Sequence, residues 1–292
     1  MNSKLKKGEI ILFKAEKDWL SRTISKLTDS DVSHAVILYS DDSIIEMIAD
    51  GVCINQVKLC PGKNAYVMRL NPELDAAPVL KAANKYRLSK ARYDFPALVI
   101  LAGTIIMHKS SMRLHLMPIC NKIILAAAWQ LDLLIQKIIL KHPDGDAMVC
   151  SQFVYQAFYD CGGDYRLKIK NDTISTDTLD GDGPSCLSHL PIDDYSTSDE
   201  LLEEGSNVSE SPEELAGQLT ELLEQENMEM LSEKHYPDIL PAVHLFQEKM
   251  NQLSEHLHTD LSFESLFVTP ADLAYNTTNL KRICSIKIER CF

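Results

Sequence analysis

From Gly8 to Leu70 the chain is built mainly of short runs rich in β-branched and aromatic residues, most of them closed by a turn signal. Gly8–Phe13 (GEIILF) opens as a strand and Ser33–Tyr39 (SHAVILY) continues the pattern. Asp41-Asp42 turns the chain into Ser43–Ile48 (SIIEMI), Asp50-Gly51 turns it into Val52–Leu59, and Ala65–Leu70 (AYVMRL) follows. One stretch departs from this: Trp19–Leu27 carries Trp19, Leu20, Ile24 and Leu27 at helical spacing. Beyond Leu70 the pattern changes. Pro78–Leu88 reads as a helix with proline near its start, and Val149–Cys161 as a helix stopped by Gly162-Gly163. Asp238–Leu257 repeats apolar residues three and four apart, and Ile283–Ile288 alternates as a closing strand. Strands, then helices, then a closing strand indicate an α+β fold carrying insertions.

Two stretches stand apart. Phe95–Met107 is thirteen residues without a charge, and Ile123–Leu140 is similar but carries Asp132 and Lys137. A membrane span needs about 20 apolar residues, so the first is too short and the second is interrupted. They read as a helical hairpin turning near His108–Ser111. It is either a buried packing element or a lid or membrane-surface element covering 95–140. The second stretch is acidic. Asn171–His235 holds 18 acidic residues and one basic, Lys234, so it outweighs the whole chain's net charge of −13. Asn171–Ser211 lacks period and reads as a linker, and Pro212–Met230 as an amphipathic helix. The expected organisation is residues 1–95 as the first part of a catalytic core and 96–146 as a hydrophobic helical insertion. Residues 147–170 hold the nucleophile helix, 171–235 the acidic linker and helix, and 236–292 the helix and strand that complete the core.

No clustered Lys/Arg stripe with interleaved aromatics is present, which argues against nucleic-acid binding. The eight cysteines form no CxxC pair and have no zinc-ligand spacing, so neither a metal nor another cofactor is expected. The basic start, MNSKLKKGEIILFKAE, has no long apolar stretch of the signal-peptide kind. The default location is cytoplasmic, with export by a route lacking an N-terminal signal left open.

Cysteine catalysis needs a thiolate, a base beside it and a group to orient the base. An ordinary thiol, with a pKa of about 8.5, is little ionised at neutral pH, and a helix N-terminus stabilises the anion. Cys150 stands at such a position, just before the apolar face Phe153, Val154, Ala157 and Phe158 and just after the polar turn Pro143–Asp146. Cys161 lies at the opposite, unfavourable end of the same helix. His34 interrupts an apolar strand, and Glu46 lies among Ile44, Ile45, Met47 and Ile48, where a carboxylate wants a buried partner. Taken singly, Cys150 also fits an ordinary buried cysteine, and His34 and Glu46 also fit core positions. Their even separation permits His34 and Glu46 to share a sheet face without requiring it.

Read in order, these pieces resemble the circularly permuted branch of the NlpC-type papain-like fold, the YiiX-like group related to the lecithin–retinol acyltransferase family. Gly8–Leu12 resembles its "GDIIL" strand, Ser33–Ile37 its histidine strand, and Ile45–Met47 with Gly51-Val52 its acidic strand and turn. Tyr93-Asp94-Phe95 resembles its "YD" step, Val149–Val154 its "CSELV" helix and Phe267–Leu273 its "TPxDL" segment. The resemblance covers roughly residues 8–95, 147–165 and 263–290. It implies an antiparallel β core packed on helices, with Cys150 as nucleophile, His34 as base and Glu46 as orienting acid; Tyr93 fits equally a substrate contact and a packing residue. Gln152 departs from the pattern, standing where an acidic residue is common. The implied activity is a hydrolase working through a thioacyl-enzyme on amide bonds of peptide-like substrates. Lipid-directed acyl transfer, ester or phospholipid hydrolysis is the alternative, and a catalytically idle binding module is a third.

Overall fold

The structure, a computed structural model, describes residues 5–57, 62–108, 118–139, 147–170, 197–211, 214–215, 217–218, 236–256 and 267–288. It is a mixed α+β protein of two compact units, both discontinuous in sequence. The first takes residues 1–94, 144–170 and 264–292, and the second takes 95–143 and 171–263.

The first unit is built on a six-stranded antiparallel sheet. Its strands are β1 (Ile10–Lys14), β2 (Val32–Leu38), β3 (Ser43–Ile48), β4 (Gly51–Gln56), β5 (Asn64–Leu70) and β8 (Leu280–Lys287), in the spatial order β4-β3-β2-β1-β5-β8. Helix α1 (Trp19–Leu27) connects β1 to β2, and α2 (Ala77–Leu88) and α5 (Cys150–Tyr159) complete the unit's main helices. The central strands are buried on both faces. Ile10, Leu12, Ala35, Ile37 and Ile45 join one core with Phe153, Val154 and Ala157 of α5, while Ile11, Phe13, Val36, Leu38 and Ile44 join another. This double burial is why β1 and β2 read as nearly continuous apolar runs instead of alternating ones.

Two local irregularities place the site. Phe13 pairs with His34 but Lys14 pairs with Val32, so Ser33 is an extra residue in β2, a bulge immediately before His34. The buried hydroxyl of Ser33 is satisfied at 2.5 Å by that of Ser21 on α1. The second irregularity is a short parallel pair, β6 (Arg92–Tyr93) with β7 (Ala147–Met148), which the hydrophobic pattern does not reveal. Gly51 makes room beside it. Its φ is +102°, and a Cβ there would lie 2.6 Å from the Ala91 carbonyl oxygen.

The second unit is helical: α3 (Phe95–His108), α4 (Pro118–Ile139), α6 (Ser198–Ser206) and α7 (Tyr236–His256). Helix α4 is long and apolar enough to cross a membrane, yet Ile123, Ile124, Ala127, Ala128 and Leu131 are buried within the protein. Its Asp132 meets Lys249 of α7 at 2.6 Å, both nearly buried, so the charge that interrupts the apolar run is paired. The turn of the hairpin at 109–117 lies outside the described residues. Two elements differ from expectation. Helix α7 packs on α4 in this unit instead of completing the sheet-bearing core with β8. Ser198–Ser206 is a helix rather than linker, because Thr197 and Glu200 form a reciprocal cap and Leu201 supplies a buried anchor. Residues 171–196 and most of Pro212–Met230 lie outside the described residues.

Candidate active site

Strand β7 delivers the chain to α5. Val149, extended at φ −86° and ψ 170°, is the N-cap, so Cys150 is the first residue of the helix. A valine offers no side-chain acceptor to the first-turn amides. Gln152 instead reaches back, its Oε1 accepting the Val149 N–H at 2.8 Å. A carboxylate could make the same cap, but the amide does so while keeping α5's first turn free of negative charge beside the thiol. The departure at Gln152 therefore preserves the cap and favours the anion.

The start of α5 is pinned from the far end of the sequence. Ser151 Oγ donates to the Val268 carbonyl at 2.8 Å. Asp272 Oδ2 accepts both the Thr269 N–H at 2.9 Å and the Thr269 hydroxyl at 2.7 Å, and the Thr269 hydroxyl accepts the Asp272 N–H at 3.1 Å. Asn276 Nδ2 donates to Asp272 Oδ1 at 2.9 Å. These buried bonds give the Phe267–Leu273 segment a structural task that its sequence alone does not disclose.

Opposite the thiol, His34 Nε2 lies 2.7 Å from Glu46 Oε2. The register explains this. Glu46 pairs directly with Val36, two residues along β2 from His34, so both side chains project on one face. Glu46 is itself fixed, with its Oε1 accepting from Asn55 Nδ2 at 2.9 Å. The imidazole stacks on Phe13, centroids 6.2 Å apart at 17°. With Nε2 engaged by Glu46, Nδ1 is the nitrogen left for Cys150.

The electrostatics follow from this packing. Burial raises the Cys150 pKa, but the His34 charge and hydrogen bond, with the backbone N–H groups of Ala35 and Ser151, outweigh it and bring the pKa below the usual thiol value. For His34, burial pulls the pKa down, while Cys150 and Glu46 push it up to about 10. Glu46 is held below the ordinary carboxylate range despite its burial, through His34 and Asn55. Each partner's charged form is favoured by the other, the thiolate by His34 and the imidazolium by Cys150 and Glu46. By contrast, burial raises the thiols of Cys53 and Cys161, helped by the nearby carboxylates of Glu46 and Asp160. Cys60, Cys186 and Cys291 lie outside the described residues.

Tyr93 stands on β6 beside Met148, two residues before the nucleophile. Its burial, with the negative charges of Cys150 and Asp94, raises its phenol pKa, so the ring lies within the thiolate's field as a neutral hydroxyl. The four expected residues therefore gather in the first unit. Sequence reasoning missed Asn55, Ser151, Thr269 and Asp272. Asn55 was within reach: the two-residue turn after Ile48 sets Glu46 opposite Cys53, so Asn55 falls on the same face. Among the described residues, no three His, Cys, Asp or Glu side chains cluster as metal ligands. A small cleft lined by Glu9, Arg69, Val79 and Tyr165, about 40 Å³, includes none of the four site residues.

No protein-family model matches the chain, and a comparison with curated proteins finds no significant match.

Proposed function

We propose that the chain is a cysteine-dependent acyl-transfer enzyme of permuted papain-like type, hydrolysing amide bonds of peptide-like substrates. The observation that carries this is Cys150 at the first position of α5, facing an imidazole whose far nitrogen is held by Glu46 at 2.7 Å. The chain order is the one the permuted group has, with the histidine strand first, the acidic strand next and the cysteine helix after.

In the mechanism, the Cys150 thiolate attacks the substrate carbonyl carbon, forming a C–S bond and placing the carbonyl electrons on oxygen. Backbone N–H groups at the start of α5 stabilise that oxyanion. The oxyanion collapses, the C–N bond breaks and His34 gives its proton to the departing amine. Neutral His34 then takes a proton from water as the hydroxide attacks the thioacyl carbon. Collapse releases the acid, and the proton restores the ion pair. Glu46 keeps the ring oriented and stabilises its charged form throughout, and Asn55 keeps Glu46 oriented. Tyr93, neutral and close to the thiolate, is suited to contact the substrate. An apolar acyl chain needs an apolar site or a membrane surface, and the hairpin over 95–140 is what would offer one to a lipid-directed enzyme. The burial of α4's apolar face gives that hairpin a packing role, so amide substrates remain the first reading.

The test is p-nitrophenyl acetate as a generic acyl donor. A stoichiometric burst of nitrophenolate, with an acetyl adduct mapped to Cys150 by peptide mass, is expected from the native chain and is lost in Cys150→Ser. An adduct on another cysteine, or no burst, refutes the proposal and leaves the idle-module reading.

A further inference from the structure

The sheet face that presents Cys150 carries a second constellation that the mechanism above does not use. Cys150, Leu12, Ala35 and Tyr66 belong to one core cluster. Ala35 supplies a backbone N–H to the sulfur, pairs with Leu12 of β1, and Leu12 in turn pairs with Tyr66 of β5. Two strand spacings separate Tyr66 from Ala35, roughly 10 Å.

At Tyr66 the side chains form a stacked, charged group. The Arg282 guanidinium of β8 lies 3.8 Å from the Tyr66 ring centroid and 5.2 Å from that of Tyr275, which is half exposed. Lys14 Nζ lies 4.5 Å from the Tyr66 ring centroid. The one carboxylate in the group is Asp31, and it is saturated. Its Oδ2 takes the Tyr66 hydroxyl at 2.6 Å and Lys14 at 2.7 Å, and its Oδ1 takes the Tyr275 hydroxyl. Arg282 has no carboxylate partner among the described residues and is exposed to solvent. A guanidinium held over aromatic rings keeps in-plane N–H donors that can bind a carboxylate or phosphate side-on. The rings hold the cation in place, so less rotamer freedom is lost on binding. Lys14 offsets the Asp31 charge, and the group as a whole is left cationic.

We propose that Arg282, seated on Tyr66 and Tyr275 and backed by Lys14, is an anion-binding subsite of the active site. It takes a carboxylate or phosphate carried by the substrate away from the acyl group that Cys150 attacks, at Tyr66, whose backbone stands roughly 10 Å from that of Ala35. This rests on the reading of Cys150 as the nucleophile and adds to it a substrate class: acyl compounds with an anionic group at a set distance.

The test needs no natural substrate. Iodoacetamides bearing a series of linkers that span from roughly 5 to 15 Å, one to three strand spacings, are prepared with three termini, carboxylate, phosphate and primary amide, and the rate of alkylation at Cys150 is mapped by peptide mass. An anionic terminus is expected to react about fivefold faster than the amide, the scale of an exposed charge pair. The faster of the two anions identifies the natural group. The preference should vanish in Arg282→Gln, survive in part in Arg282→Lys and shrink in high salt, while plain iodoacetamide reacts at the native rate in all three chains. Equal rates for anionic and neutral reagents on the native chain, with Cys150 still the labelled thiol, overturn the subsite alone. So does a preference that Arg282→Gln leaves unchanged. Failure of plain iodoacetamide to label Cys150 overturns the nucleophile reading beneath it.

Discussion

At the scale of single residues, Glu46 is held on both oxygens, one by Asn55 and one by His34, and this doubles as a test of rank. His34→Ala should abolish turnover. Glu46→Gln should retain some, because an amide oxygen still accepts a hydrogen bond; a loss on the order of 10–10³ is expected, less than the ~10⁴ of a serine triad because a thiolate depends less on base strength. Asn55→Leu removes the bond to Glu46 together with a weaker one to Cys53 Sγ and should cost about tenfold, the scale of the charge-assisted bond. Melting temperatures measured alongside separate these losses from unfolding, and full activity in His34→Ala would dismiss the mechanism. The ion pair also fixes a pH signature. The Cys150 pKa is lowered, so the thiolate persists as pH falls below that of an ordinary thiol, and His34 stays protonated until pH approaches about 10. Alkylation of Cys150 should therefore be faster at neutral pH and rise less steeply with pH than that of an ordinary thiol of pKa ~8.5, which speeds up close to tenfold per unit below its pKa. The sign for stability follows. The His34 contribution is fully present below the unfolded histidine pKa of about 6.5 and is lost as pH rises through about 10.

Among the elements, α5 depends most on distant support. Asp272→Ala would strip the Thr269 N–H and hydroxyl of their buried acceptor, at a cost of about 3 kcal/mol. The start of α5 loosens with it, so Cys150 alkylation should slow in the same variant; an unchanged rate would show that Val268 holds Ser151 without the Asp272 cap. Helix α6 gives a second case. A Cβ at Gly205 would lie 2.5 Å from the Leu125 carbonyl oxygen of α4. Gly205→Ala should therefore lower the thermal midpoint by an amount corresponding to about 1–3 kcal/mol, and no shift would mean that α6 gives way. These elements also mark what the sequence could reveal. Strands β1–β5 were legible because each is a β-rich run between turn residues, and α5 because its apolar face begins beside Cys150 and its end meets Gly162-Gly163. The β6–β7 pair is two residues long on each side and too short for any period. Helix α6 is announced by its Thr197–Glu200 cap, yet its acidic composition masks the single anchor Leu201. Nothing local in Ser33 signals the bulge, which exists only because β1 sits alongside.

At the scale of the whole molecule, the discontinuity of the first unit has a testable meaning. The first excursion leaves after Tyr93 and returns through Met148, which are paired neighbours. Near the start of the second excursion, Lys170 N–H is bonded to the Asn276 carbonyl at 2.8 Å and Ile169 bridges Thr277. A shortened chain with Gly/Ser linkers in place of 96–145 and 171–264 should keep the six-stranded sheet and the rapid alkylation of Cys150. Failure to fold would show that the helical unit is needed for stability. The support of Ser151 by Val268 also orders events in time. A ribosome adding 5–20 residues per second makes Cys150 on the order of ten seconds before residues 267–288. Through that interval His34, Glu46 and the nucleophile already exist, but the clamp on the helix that carries Cys150 does not. A nascent chain in which residues 267–288 are not yet made thus lacks the Val268 support of Ser151, and its Cys150 should alkylate more slowly than in the folded protein.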